Sequence, residues 1–123
     1  MEQTRNVLVV EDDTALNKLI CRYFRMAGYS VHSALDGMSA LREALAHPPL
    51  IVLLDLMLPD TTGFEVCRAL KQDERTCSVP VVMVTALTDE ESRRHGMECG
   101  AVEYVVKPFD PDMLIETVKK HAA

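Results

Sequence analysis

The sequence predicts an α/β fold: a single doubly wound, five-stranded parallel sheet with helices on both faces, formed by one domain over residues 1–123. Two observations predict it. Short apolar runs alternate with helix-patterned segments five times, which is the rhythm of consecutive strand–helix units. The run Leu50-Ile51-Val52-Leu53-Leu54 shows no polar alternation, as expected of a strand covered on both faces in a parallel sheet. At 123 residues the chain is about one domain long and can bury a core without staples.

The first strand is expected over residues 6–11, around Val7-Leu8-Val9-Val10. The helix after it places Leu16, Ile20, Tyr23, Phe24 and Ala27 close to a 3.6-residue period, and Gly28 ends it as a C-cap. Cys21 falls off that stripe and is expected to be partly exposed. In the second strand, residues 29–34, Val31 and Ser33 alternate with Ser30 and His32, so it is half-exposed and belongs near a sheet edge. Asp36-Gly37 marks a turn, and the next helix uses Ala40, Leu41, Ala44 and Leu45 until Pro48-Pro49 stops it.

The third strand leads directly into Asp55. A helix follows over residues 63–71, with Cys67 packed in the core, then a polar loop over 72–78. The fourth strand is 80–84, with Thr85-Ala86 at its carboxyl end. The fourth helix, 89–99, is strongly charged, contains Gly96 and has few apolar anchors, so it should be the least stable. The fifth strand, 102–106, ends at Lys107-Pro108. Asp110-Pro111 then reads as an N-cap followed by a first-turn proline, and the last helix turns Leu114, Val118 and Met113 inward.

Composition excludes several functions. Thirteen basic residues against nineteen acidic ones give a net charge of -6, so there is no basic stripe to displace counterions from a nucleic acid. The four cysteines, at 21, 67, 77 and 99, lack the close spacing of zinc or redox motifs and are expected to be reduced. The four histidines show no ligand spacing and read as surface residues. No secretory leader opens the chain, and no apolar stretch approaches the roughly 18 residues of a membrane span. A cytoplasmic location without membrane contact is expected.

Four strands deliver polar residues to one edge: Glu11 and Asp12, Asp55, Thr85, and Lys107. That edge, beyond the carboxyl ends of the strands, is where open α/β sheets place their ligands. Carboxylates there suit Mg²⁺, a hard cation bound through a few carboxylates, water and phosphate. A carboxylate can also act as nucleophile and become an aspartyl phosphate, while a lysine and a hydroxyl stabilise the added charge. The set suffices to take up one phosphoryl group. It lacks a positioned histidine or extra acid to hydrolyse the product quickly.

In order and spacing, Val9-Val10-Glu11-Asp12-Asp13, Leu54-Asp55-Leu56-Met57-Leu58-Pro59-Asp60 with Gly63, Val84-Thr85-Ala86, and Tyr104 with Lys107-Pro108-Phe109 resemble the receiver domain of the two-component response-regulator family. The resemblance runs from end to end. It implies a flavodoxin-like receiver fold with strand order 2-1-3-4-5. It implies Asp55 as phosphoacceptor from a histidine kinase or phosphotransfer protein, and Mg²⁺ held by Glu11, Asp12, Asp55 and the backbone carbonyl of Met57. Thr85 and Lys107 would grip the phosphoryl oxygens, and the Lys107–Pro108 bond would be cis. Tyr104 would turn inward after phosphorylation and change the partner preference of the face formed by helix four, strand five and helix five. A downstream output domain or protein, or a phosphorylation-dependent dimer, would read that face.

Three acids stand where the family carries two, so either Glu11 and Asp12 form the pair and Asp13 caps the helix, or Asp13 contributes in place of Glu11. Two other functions use the same residues. A receiver fold can serve purely as a binding module without phosphorylation. A Mg²⁺-dependent phosphohydrolase could use Asp55 as nucleophile, but the position two residues on, where haloacid-dehalogenase-type enzymes carry a general acid, holds Met57.

Overall fold

The computed structural model describes residues 6–122 and shows strands and helices in strict alternation. They are β1 (Asn6–Val10), α1 (Thr14–Met26), β2 (Ser30–Ala34), α2 (Gly37–Ala46), β3 (Ile51–Leu54), α3 (Gly63–Gln72), β4 (Val81–Thr85), α4 (Glu90–Glu98), β5 (Glu103–Val106) and α5 (Pro111–His121). All neighbouring strands pair in parallel, in the order β2-β1-β3-β4-β5. The expected fold class and strand order are both met. Residues 1–5 and 123 of the expected domain lie outside the described residues.

The sheet divides the core in two. Because side chains alternate across a strand, Leu8, Val10, Val52, Leu54 and Met83 face the side covered by α2, α3 and α4. Val7, Val9, Ile51, Leu53 and Val82 face α1 and α5. The three central strands are buried on both sides, which explains their unbroken apolar runs. β2, at the edge, is largely exposed, as its alternation predicts.

Each helix begins at a side-chain cap: Asp13, Asp36, Thr62, Asp89 and Asp110 each accept a backbone N–H from the first turn, and of these Asp13 and Asp110 are the caps expected from the sequence. Gly28, with φ of 96°, carries the chain out of α1 in a left-handed conformation that costs a residue with a Cβ. In α4 the only buried residue is Gly96, so this helix has the weak anchoring that its polar sequence implies.

Three expectations need correction. Cys21 is buried, not partly exposed, and its thiol donates to Asn17 Oδ1 at 3.3 Å. Asn17, Ile20, Cys21 and Phe24 form one face at helical spacing, so the stripe is centred further round the helix than Leu16 and Tyr23 suggest. Met113 is 67% exposed and does not join the inner face of α5. With Leu114 and Val118 at the centre, a step of about 100° per residue puts Ile115 on the flank of that face and turns Met113 away. Thr85 is the last residue of β4, paired with Val106, whereas the strand was expected to stop one residue earlier.

Candidate functional site

The parallel register brings the carboxyl ends of β1, β3, β4 and β5 to one edge, and with them Glu11, Asp12, Asp55, Thr85 and Lys107. β1 stops at Val10, although the Glu11 N–H still donates to the Ala34 carbonyl at 3.1 Å. β3 is fixed against it by the Asp55 N–H, which donates to the Val10 carbonyl at 3.1 Å. Glu11 and Asp55 are buried and Asp12 is exposed. One ligand atom from each of these three carboxylates lies within 4.8 Å of the others.

Lys107 reaches into this cluster. Its Nζ donates to Asp55 Oδ2 at 2.9 Å and to Glu11 Oε1 at 2.5 Å. The Lys107–Pro108 peptide is cis. The Lys107 N–H donates to the Thr85 carbonyl at 2.8 Å, so the backbones of the two phosphoryl-gripping candidates are tied together. The other Asp55 oxygen accepts the Met57 N–H at 3.2 Å. The Met57 side chain points away and is 62% exposed, so only its backbone belongs to the site. Thr85 is fully buried, and its hydroxyl accepts the Leu87 N–H at 3.3 Å.

Asp13 has a different task. Its side chain accepts the Leu16 N–H at 3.1 Å as the cap of α1, and its own N–H donates to Glu11 Oε2 at 3.1 Å. The cluster therefore consists of Glu11, Asp12 and Asp55, with the third acid spent on the helix terminus. Glu11 is long enough to turn back over the loop and reach Lys107.

Burial, then the neighbouring Asp55 charge, pushes the Glu11 carboxyl up, against the hydrogen bonds from Lys107 and the Asp13 N–H. Burial pulls the Lys107 ammonium down, but its bonds to Glu11 and Asp55 outweigh that and hold it above the ordinary lysine value. Three carboxylates thus face one ammonium. The three carboxylates form a cluster capable of coordinating a metal ion.

Tyr104 is buried, with its hydroxyl donating to the Leu87 carbonyl at 2.9 Å and the Arg93 guanidinium 5.6 Å from its ring centre. The expected inward position is therefore already occupied beside a Thr85 that bonds to Leu87.

Two further residues support the site; both stand inside the motif around Asp55, which by itself gives them no task. Gly63 opens α3 directly beneath Asp55: a Cβ there would lie 2.4 Å from the Asp55 carbonyl oxygen and 2.9 Å from Leu56 Cα. Both are backbone atoms that cannot yield, so only glycine permits the close approach. Asp60 reaches across to α2, where its oxygens accept the N–H groups of Gly37 at 2.8 Å and Met38 at 3.0 Å. No spacing rule signals the Asp60 contact, because it joins α2 to the loop after β3.

Comparison with known proteins gives one answer. The response regulator receiver domain model matches residues 7–119. Over 113 residues the chain is 40% identical to the DNA-binding dual master transcriptional regulator RpaA of Synechocystis sp., covering 92% of this chain and 47% of that protein. It therefore spans about half the length of the curated relatives it matches. Among solved structures, the chemotaxis protein CheY4 of Vibrio cholerae superposes with a TM-score of 0.91 at 30% identity, covering 97% of this chain and 99% of that one. The BeF3-activated DrrB receiver domain superposes with a TM-score of 0.87 at 34% identity, covering 97% of each chain. Among the described residues no helix is long and apolar enough to cross a membrane.

Proposed function

This chain belongs to the response-regulator receiver family, and we propose that it is a phosphoacceptor switch of a two-component phosphorelay with Asp55 as its acceptor. The observation that carries the reading is the position of Lys107, whose ammonium joins Asp55 to Glu11 at the bottom of the acidic pocket. A lysine there neutralises part of the resting charge and would meet a phosphoryl oxygen once Asp55 carries the acyl phosphate.

The donors fit Mg²⁺: three carboxylates at mutual distances within 4.8 Å, with no sulfur or imidazole among them. Glu11, Asp12 and Asp55 would hold the ion, with the backbone carbonyl of Met57 completing the protein's share. Bound there, it would offset the repulsion between the carboxylates and the incoming phosphoryl group.

The protein's own steps follow. An Asp55 carboxylate oxygen attacks the phosphorus of a phosphohistidine on a kinase or phosphotransfer protein. The new O–P bond forms as the P–N bond breaks, and the imidazole leaves with the electron pair. Lys107 exchanges a carboxylate contact for a phosphoryl oxygen. Thr85 turns its hydroxyl to donate to another, which releases the Leu87 N–H. The change at Leu87 reaches Tyr104 through the Leu87 carbonyl and so biases the face made by α4, β5 and α5.

Receiver domains accept phosphoryl groups without multiple turnover of external substrates, and Met57 at the second position after Asp55 offers no proton for ester hydrolysis. RpaA is described as a DNA-binding regulator and is about twice as long as this chain. An output domain or a separate output protein, or a second copy of this chain after phosphorylation, reads the switch in our assignment, and a cytoplasmic location completes it. Incubation with acetyl phosphate and Mg²⁺ tests the core of this reading. One phosphoryl group should be gained, and Asp55→Asn or chelation should abolish the gain. Equal labelling of Asp55→Asn at another residue would overturn it.

A further inference from the structure

We propose that Asn17 is a positioning residue for the acidic pocket, holding the Glu11–Asp12 segment where β1 gives out. The proposal rests on the reading of that pocket as a Mg²⁺ site. Asn17 lies in the first turns of α1, among the apolar residues of the helix's inner face, and is only 3% exposed. A buried amide is retained without penalty only if its hydrogen-bonding groups are used. Here they are. Nδ2 donates to the Glu11 carbonyl at 2.9 Å and to the Ala34 carbonyl at 3.2 Å, while Oδ1 accepts the Cys21 thiol at 3.3 Å. The opposite amide orientation would set Oδ1 against two carbonyl oxygens, so the partners leave one choice.

These contacts come at the place where the main chain loses its own ladder. Past Val10 the chain leaves the sheet, and only the Glu11 N–H still pairs, with the Ala34 carbonyl. The Asn17 amide binds that same carbonyl and the carbonyl of Glu11, adding a side-chain rung that ties the ends of β1 and β2 to α1. The Glu11 carbonyl belongs to the peptide that leads into Asp12. Fixing it sets the direction in which both acids leave the strand. The Cys21 thiol orients the amide from the turn beyond, which gives this buried cysteine a task.

The test is a Mg²⁺ titration of the whole chain, followed through the amide signals of residues 11, 12 and 107, together with thermal unfolding without metal. Asn17→Ala should raise the Mg²⁺ dissociation constant about tenfold, the scale for losing a partner that orients a ligand. Val118→Ala, which removes a fully buried side chain of α5 remote from the pocket, should lower the unfolding temperature yet leave the dissociation constant unchanged. An unchanged constant in Asn17→Ala, or an equal rise in Val118→Ala, overturns the proposal. If Asn17→Ala does not fold, Cys21→Ala and Cys21→Ser decide: the first should weaken Mg²⁺ binding and the second, which keeps a donor, should not. Equal affinity in those two variants overturns the role of the amide. A wild-type chain that binds no Mg²⁺ overturns both this proposal and the assignment beneath it, whereas tight wild-type binding with no response to Asn17→Ala removes this proposal alone.

Discussion

The Tyr104 hydroxyl donates to the Leu87 carbonyl at 2.9 Å, while the N–H of the same Leu87 donates to the Thr85 hydroxyl at 3.3 Å. One peptide unit on either side of Leu87 thus joins Thr85 to the aromatic residue of β5. The two bonds hold Leu87 from both sides, one through its N–H and one through its carbonyl. In the proposed switch this short link carries the signal, so Tyr104 need not travel from solvent to core.

From this follows the first prediction. Beryllofluoride with Mg²⁺ should draw the Thr85 hydroxyl toward the pocket and release the Leu87 N–H. The Leu87 amide should therefore show one of the largest shifts outside residues 11, 12 and 55–57. Tyr104→Phe, which removes the donor to the Leu87 carbonyl, should leave labelling of Asp55 intact and reduce the shifts across α4. Paired amide spectra of wild type and Tyr104→Phe check this; an unperturbed Leu87 amide would remove the link.

The second prediction concerns the uncompensated charge. Without metal, Asp55 raises the cost of keeping Glu11 ionised, in addition to its burial. Asp55→Asn keeps the shape and the Lys107–Glu11 pair while removing one buried charge, so it should stabilise the metal-free protein by about 1 kcal/mol. Mg²⁺ should raise the unfolding temperature of the wild type in a concentration-dependent way and that of Asp55→Asn much less. Thermal unfolding with and without Mg²⁺ measures both effects.

A third prediction uses a buried thiol. Cys67 is fully buried, its thiol donates to the Cys99 carbonyl at 3.3 Å, and burial pushes it up to about 11. A group whose folded value is raised contributes stability that is complete below the unfolded value and is lost as pH rises toward the folded one. Between about pH 9 and 11 the wild type should therefore lose roughly 2 to 3 kcal/mol that Cys67→Ala does not lose. Denaturant unfolding of both proteins across that range gives the difference. Alkylation below pH 9 should reach exposed Cys77 first and Cys67 last.

Much of this site was legible because its residues stand at strand ends. Once the apolar runs are recognised, parallel topology sends Glu11, Asp12, Asp55, Thr85 and Lys107 to one edge whatever the details of packing. The cap of α5 was legible for a similar reason, since Asp110 followed by Pro111 specifies its own local geometry. What remained hidden depends on contacts between distant segments. Asn17 looks like a polar residue on a surface helix until two carbonyls from different strands are placed beside it. Met113 and Cys21 were misplaced because a helix stripe fixes a spacing, while its rotation against the sheet is set by neighbours.

The last prediction tests α4 as the pliant element of the switch. Its sole buried residue is Gly96, and glycine in a helix interior costs up to about 1 kcal/mol relative to alanine. A Cβ at this position would lie 3.5 Å from Met83 Cγ and 3.5 Å from Tyr104 Cδ1, ordinary contact distances that need no rearrangement. Gly96→Ala should therefore stabilise the protein by about 0.5 to 1 kcal/mol and slow amide exchange in α4 more than elsewhere. It should also press Tyr104 more firmly into its present inward position without touching Asp55. The rate of Asp55 labelling by acetyl phosphate should stay unchanged, while the shifts induced in α4 by beryllofluoride should shrink. Hydrogen exchange and amide spectra of the variant provide the measurement. A destabilised variant would mean that Gly96 is required for close packing, and α4 would then be held in place by more than its few contacts.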